Sequence, residues 1–402
     1  MKQQPRILAF ATKGSQTNEE LRLRSLLAHT GAQFIPYDKA AKRRSFFHVL
    51  GQVFRQRPDL LVMEGTGLAG GLVCLLARLA GRTRYVVGSG DAVGPFVAAH
   101  SALAGPAFAV YERLLCRFCD GFIGWTPYLT GRAMTFGAPR AMTASGWAPA
   151  PLNATDAAEA RRAIRRQLGI APNALVFGLA GALNWNPRRG YCYGLELVEA
   201  ALKVDRPDTC VLIVGAGSGL AKLRERSGSS LGRTIFLPGM VSMEEVSRYL
   251  AAMDVASLPQ SVDGVGNFRY TTKISEYAAA GLPIVTGRLP LAYDLDDGSM
   301  WRLPGRAPWS GNYIAALADL MREMSVPMLA AAKSCVRRQR SEFDADIQVQ
   351  RVTKFMTELL DDLATASPAP RRNKAAVSMA SVSEKFQQPA LSELSHDGPG
   401  RN

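Results

Sequence analysis

Two runs of short, uninterrupted apolar segments, divided by a single proline-containing break, constrain this 402-residue chain more than any other feature. The first run comprises "RILAFAT" (6–12), "AQFIPYD" (32–38), "DLLVMEG" (59–65), "RYVVGSG" (84–90), "GFIGWT" (121–126) and "RAMTASG" (140–146). Enough chain separates successive segments for a crossover helix. Apolar residues that follow one another, without alternating polar ones, belong to strands covered on both faces, as in a parallel sheet flanked by helices. Around residues 145–163 the pattern stops, and Gly146, Pro149 and Pro151 stand among small polar residues. That composition reads as a linker and a hinge.

The pattern then restarts with "ALVFGLAGAL" (174–183), "TCVLIVGAG" (209–217), "TIFLPGM" (234–240), "DVASLP" (254–259) and "LPIVTG" (282–287). Helical stretches over 190–203, 218–226, 243–252 and 273–280 fit between them. After Trp301 the signal is helical only, to about Leu363. The predicted fold is therefore α/β, with two Rossmann-like, doubly wound domains facing each other across a cleft, C-terminal helices and a tail. The expected boundaries are 1–150, 151–340, a helix over 341–364 that packs back on the first domain, and a Ser/Pro/Ala-rich disordered tail over 365–402. Ligands of such sheets bind at the strand carboxyl ends.

Charge is uneven. Of the formal +14, +10 lies in residues 1–150, which hold 18 Lys and Arg against 8 Asp and Glu. A basic first domain suits an anionic partner: a membrane surface, nucleic acid or a phosphorylated substrate. Residues 39–57, "KAAKRRSFFHVLGQVFRQR", form a basic amphipathic segment with Phe46, Phe47, Val49, Leu50, Val53 and Phe54 available for one side. The same pattern equally suits an ordinary crossover helix. Residues 92–111 are uncharged and long enough to span a bilayer, but they are Ala-rich and hold His100 and two Gly-Pro pairs, which favours a non-spanning reading. Cys116 and Cys119 have metal-ligand spacing, yet no second pair accompanies them and the chain has only four His. Buried, reduced thiols are expected, with no metal site.

Several residues sit where ligands would approach. Gly14 closes the first strand and opens the first helix, and Asp91 ends "YVVGSGD", where an acceptor contact, a base or a plain helix cap are all open. In "VLIVGAGSGL" the glycines miss the dinucleotide fingerprint, because Leu220 stands where its third glycine would and no acidic residue ends the next strand. Nicotinamide binding is disfavoured; a close backbone approach at Gly217 and Gly239 remains. Arg188 and Arg189 precede a predicted helix, where two cations oppose the helix dipole unless an anion lies between them. In "NFRYTTKISEYAAAGLPIVTG" (267–287), Lys273 and Glu276 are i, i+3, after the loop that ends at Asn267. With a nucleoside diphosphate in the cleft, Glu276 could take ribose hydroxyls and Lys273 the phosphates. An incidental surface pair explains the charges but not their place beside a Gly-rich loop.

Taken in order, "GALNWNPRRG", "VLIVGAGSG", "IFLPGMVSMEEVSRYLAAMDVASLP" and "KISEYAAAGLPIV" resemble the donor-binding domain of GT-B glycosyltransferases of the "glycosyl transferases group 1" type, over about 174–290. The resemblance implies a nucleoside-diphosphate sugar as co-substrate, no bound cofactor, no obligatory metal, and transfer with retention. It implies that Glu276 holds the donor ribose and Arg189 the diphosphate, with Lys273 and Arg188 supporting it. Two positions depart from the family pattern. Phe268 stands where a second Glu often contacts the sugar, and Ala182 where an Arg often follows the first glycine. The expected acceptor is a glycan or a lipid-linked molecule, in surface polysaccharide or glycoconjugate synthesis, at the inner face of an anionic membrane; no nucleic-acid partner is expected. A nucleotide-sugar epimerase or hydrolase, or an inactive binding protein on the same fold, are the alternatives.

Overall fold

In the computed structural model, which describes residues 5–81 and 83–365, the first run of apolar segments forms one sheet. Its strands are β1 (Ile7–Ala11), β2 (Gln33–Phe34), β3 (Leu60–Glu64), β4 (Arg84–Ser89), β5 (Gly121–Gly124) and β6 (Ala141–Thr143), in the order β2-β1-β3-β4-β5-β6. The second sheet holds β7 (Leu175–Ala180), β8 (Thr209–Val214), β9 (Ile235–Gly239), β10 (Val255–Leu258), β11 (Ile284–Gly287) and β12 (Met300–Leu303), in the order β12-β11-β10-β7-β8-β9. Every neighbouring pair is parallel. The sequence anticipates eleven of these strands and misses β12. Met300, Trp301 and Arg302 are only half-buried and Leu303 alone is inside, so this edge strand has no continuous apolar run to betray it.

Helices α1 (Asn18–Leu26), α2 (Lys42–Gln56), α3 (Leu68–Gly81), α4 (Val93–Ala98), α5 (Gly105–Phe118) and α6 (Pro127–Thr135) belong to the first sheet. With the second come α7 (Ala154–Leu168), α8 (Leu195–Ala201), α9 (Leu220–Ser227), α10 (Met243–Ala251), α11 (Thr272–Ala279), α12 (Pro290–Asp294), α13 (Gly311–Glu323) and α14 (Val326–Cys335). A last helix, α15 (Ala345–Thr365), returns to the first sheet, where Val352 and Met356 are buried among Ile7, Val62 and Ile123. The break after the first sheet ends at Asn153, whose side chain accepts from the Asp156 amide at 2.8 Å and caps α7. The uncharged stretch 92–111 is divided between α4 and α5, and no described helix is long and apolar enough to cross a membrane. All six cysteines are free, five of them buried. The tail expected over 365–402 lies outside the described residues but for Thr365.

The second domain is tied down at its base by one carboxylate. Asp254, buried just before β10, accepts from Arg161 (2.8 Å) and Arg165 (2.7 Å) of α7, from Lys333 of α14 (2.8 Å) and from the Val176 amide of β7 (3.0 Å). Burial pushes its carboxyl up, but Lys333, Arg161 and Arg165 more than offset this and hold it below the usual range.

Candidate active site

In the second sheet the chain runs outward from β7 through β8 to β9, then returns to place β10 on the other side of β7. The carboxyl ends of β7 and β10 therefore diverge at a topological switch point, the place where open α/β sheets bind ligands. A crevice of about 260 Å³ lies there, lined by Asn184, Arg189, Tyr193, Gln260, Arg269 and Trp309 among others.

Arg189 reaches it from a turn, not from a helix N-terminus as the sequence suggests. Asn186 organises this turn: its side-chain oxygen accepts from the amides of Arg188 (3.1 Å) and Arg189 (3.3 Å), and its own amide donates to the Tyr191 carbonyl at 2.8 Å. Gly194, at φ +92°, keeps the chain out of helical geometry until Leu195. The Arg189 guanidinium lies 4.7 Å from the Trp309 ring centroid, and Trp309 leans on Tyr191 at 5.0 Å. Arg188 turns the other way and donates to the His100 carbonyl of the first domain.

Lys273 occupies the second position of α11. Its Nζ lies 5.4 Å from the Tyr193 ring centroid, and its end rests against Gly181, where an added Cβ would fall 2.5 Å from the lysine Cε. Burial lowers the Lys273 pKa and the Glu276 charge partly restores it. Among the described residues no carboxylate forms an ion pair with Lys273 or Arg189, so an anion entering here meets two cations held by no direct salt bridge. Glu276, one turn along, faces a different and more apolar cavity of about 520 Å³ with Arg22, Trp125, Trp147 and Ala280. The two residues are coupled electrostatically, yet Glu276 borders the apolar cavity while Lys273 packs against Tyr193 of the crevice wall. A nucleotide reaching both must lie across the first turn of α11.

Asn267 ends a turn in which the Asp263 carboxylate accepts from the amides of Val265 and Gly266, each at 2.9 Å; its own side-chain oxygen is buried without a partner. Gly239 closes β9 with open space beside its Cα. Gly217 has a local reason to be glycine, since a Cβ would fall 2.5 Å from the Leu183 carbonyl carbon where two loops pack backbone on backbone. Gly14 borders a separate depression in the first domain with Lys13, Lys39, Lys42, Arg44 and His48.

Asp91 is engaged from across the cleft: its carboxylate accepts from Arg269 Nε at 2.6 Å. Next to Arg269, the Phe268 carbonyl accepts from Thr126 Oγ1 at 2.9 Å, and the Phe268 ring packs on the first domain's core beneath Arg132. A carboxylate at this position would face that apolar contact, so the departure from the family pattern has a structural use. Tyr193 and Trp309 line the crevice without having been singled out from the sequence, and Arg269, which stands ahead of Lys273 and Glu276, lines it too. Arg269 stands in a loop between Phe268 and Tyr270, and Trp309 comes from a Pro- and Gly-rich connection far along the chain; neither spacing nor periodicity gives them a role.

Behind Tyr191 lies a buried acid. Glu196 accepts from the Tyr191 hydroxyl (2.8 Å), the Gly194 amide (3.0 Å) and Ser257 (3.1 Å), yet burial dominates and raises its pKa to about 7. A raised carboxyl contributes stability below the unfolded value, near 4.3, that is lost as pH rises through about 7. Glu196→Gln should therefore match the wild-type melting temperature near pH 5 and exceed it at pH 8. Equal pH slopes in the two proteins would show that Glu196 is ionised throughout.

Residues 174–323 match the family described as "Glycosyl transferases group 1". The matched stretch runs from β7 to α13 of the second domain. No curated protein matches the chain at the sequence level. In fold it is similar to HepE of Anabaena, in complex with UDP and glucose, at 17% identity and TM-score 0.64, covering 88% of this chain and 99% of that one. It is likewise similar to the sucrose-phosphate synthase of Thermosynechococcus elongatus, at 14% identity and TM-score 0.64, covering 90% and 100%. A third is a UDP-forming α,α-trehalose-phosphate synthase of Burkholderia xenovorans, in complex with glucose-6-phosphate, at 13% identity and TM-score 0.59, covering 88% and 100%. The chain thus has the GT-B arrangement of two Rossmann-like domains.

If Glu276 takes the ribose of a nucleotide donor, Glu276→Ala should weaken nucleoside-diphosphate binding by about 1–3 kcal/mol, the scale of a charged hydrogen bond. Calorimetric titration checks this, and an unchanged dissociation constant removes Glu276 from the site.

Proposed function

We propose that this protein is a glycosyltransferase that moves a hexosyl group from a nucleoside-diphosphate sugar to a hydroxyl of a glycan or lipid-linked acceptor, with retention and with fixed cations carrying the leaving-group charge. The observation that carries the reading is the switch-point crevice, lined by Arg189 and by Tyr193, against whose ring Lys273 lies, with no carboxylate ion-paired to either cation among the described residues. As the anomeric carbon becomes oxocarbenium-like, its bond to the diphosphate oxygen breaks and negative charge grows on the departing phosphate. Cations held in place before the reaction stabilise that charge with little reorganisation. The acceptor hydroxyl attacks on the face from which the diphosphate leaves, forming the new glycosidic bond, and its proton passes to the departing phosphate oxygen. Retention itself rests on the family resemblance.

The facing first domain would hold the acceptor. Asp91 is held by its bond to Arg269, which makes it a clasp between the domains. Gly14 and the basic residues around it would face the acceptor side, and the domain's charge suits an acceptor presented at an anionic membrane surface. UDP donors deserve the first trial, since UDP stands beside HepE in its complex. Incubating the protein with UDP-, GDP- and ADP-sugars and following nucleoside-diphosphate release, with and without a membrane extract as acceptor source, tests the proposal. Release from one donor class, accelerated by the extract, is expected. Epimer formation without release would make the protein an epimerase, and absence of any turnover or binding would make it an inactive relative.

A further inference from the structure

Helices α2, α3 and α5 cover one face of the first sheet, and their inner sides supply Val49, Val53, Val73, Cys74 and Leu115 to a single core cluster. The outer side of α3 is also apolar. Leu68, Leu72, Leu76 and Leu79 recur about one turn apart and are all exposed, Leu79 to 68%. Arg78 is the only charged residue of this helix. Neighbouring α5 exposes Val110, Leu114 and Phe118, and α2 exposes Phe47 and Phe54. This revises the sequence expectation for 39–57: Val49 and Val53 are core, and the apolar surface continues on α3 and α5 instead.

Single exposed leucines are ordinary, but a helix that is apolar on all sides must have something against its outer face. Charge identifies what. The three helices carry seven basic residues, Lys42, Arg43, Arg44, Arg55, Arg78, Arg113 and Arg117, and one acid, Glu112, which is buried and paired with Arg132 at 2.8 Å. A second copy of the same face would set these cations against one another. An anionic bilayer offers hydrocarbon to the leucines and phosphates to the rim.

We propose that the α2–α3–α5 face is a membrane-docking surface, which inserts the α3 leucine stripe into the headgroup–acyl boundary of anionic lipid and holds it with the surrounding Arg and Lys. The proposal rests on the reading of the first domain as the acceptor side. Lys42 and Arg44, at the start of α2, also border the depression that holds Gly14, so the docked face leads to the carboxyl end of the first sheet. Attachment is peripheral, because no described helix is fit to span.

The test is co-sedimentation of the full chain with vesicles of phosphatidylcholine alone or containing one-third phosphatidylglycerol, at low and high salt. Wild type should bind the anionic vesicles and be weakened by salt. Neutralising Lys42, Arg43 and Arg44 to Ala should reduce partitioning about fivefold per residue. Changing Leu72, Leu76 and Leu79 together to Ser should reduce it more than tenfold with an unchanged melting temperature and unchanged donor hydrolysis. No binding at low salt, or binding indifferent to the leucines, overturns the proposal. So does a wild-type dimer in light scattering that the leucine variant converts to monomer. Donor hydrolysis reads the catalytic reading separately: vesicle binding by a protein that releases no nucleoside diphosphate would leave the docking surface standing and the glycosyl-transfer reading overturned.

Discussion

Replacing Arg189 by alanine should lower turnover by about 10²–10³-fold, the cost of removing one preorganised group from developing oxyanion charge. The melting temperature should hardly move, because the side chain is exposed and its stabilising contact is the stack on Trp309. The loss should fall on kcat more than on donor KM, since the charge it meets grows in the transition state. Steady-state rates with the donor found active check the expectation. A variant that retains near wild-type kcat would show that Arg189 does not face the leaving group.

Asp254→Asn should have the opposite profile, with a large effect on stability. The substitution leaves Arg165 buried at 3% exposure beside Arg161 and Lys333, with no carboxylate among them. Breaking such a buried group costs about 3–5 kcal/mol, which corresponds to a fall in melting temperature of roughly 10 °C. The pH dependence follows from the depressed carboxyl. Its stabilisation is present above the unfolded value of about 3.9 and is lost as pH falls through the lower folded value. The gap between variant and wild type should therefore be full at neutral pH and narrow in strong acid. Thermal denaturation from pH 3 to pH 8 reads both features, and a variant as stable as wild type at pH 7 would show that the hub contributes little.

The fold was largely legible because parallel strands buried on both faces leave apolar runs that local sequence reveals. β12 escaped because an edge strand with half-exposed Met300, Trp301 and Arg302 has no such run. Helix starts were legible where a side chain caps them, as Ser242 does for α10, expected over 243–252 and found at Met243–Ala251. They were misplaced at 190–194, where Gly194 in a left-handed conformation delays α8 and puts Arg188 and Arg189 in a turn. Within the candidate site, i, i+3 spacing brought out Lys273 and Glu276, but spacing on a helix does not say which cavity each residue borders. Arg269, Tyr193 and Trp309 come together only through tertiary folding. The same is true of the clasp between Asp91 and Arg269, whose partners are far apart in the chain.

A crystal structure of the protein with UDP bound decides whether a nucleoside diphosphate lies across the N-terminal turn of α11. The expected result places the diphosphate between Arg189 and Lys273, with the ribose hydroxyls on Glu276. A nucleotide bound elsewhere, with Arg189 and Lys273 making no contact to its phosphates, would overturn this placement of the donor.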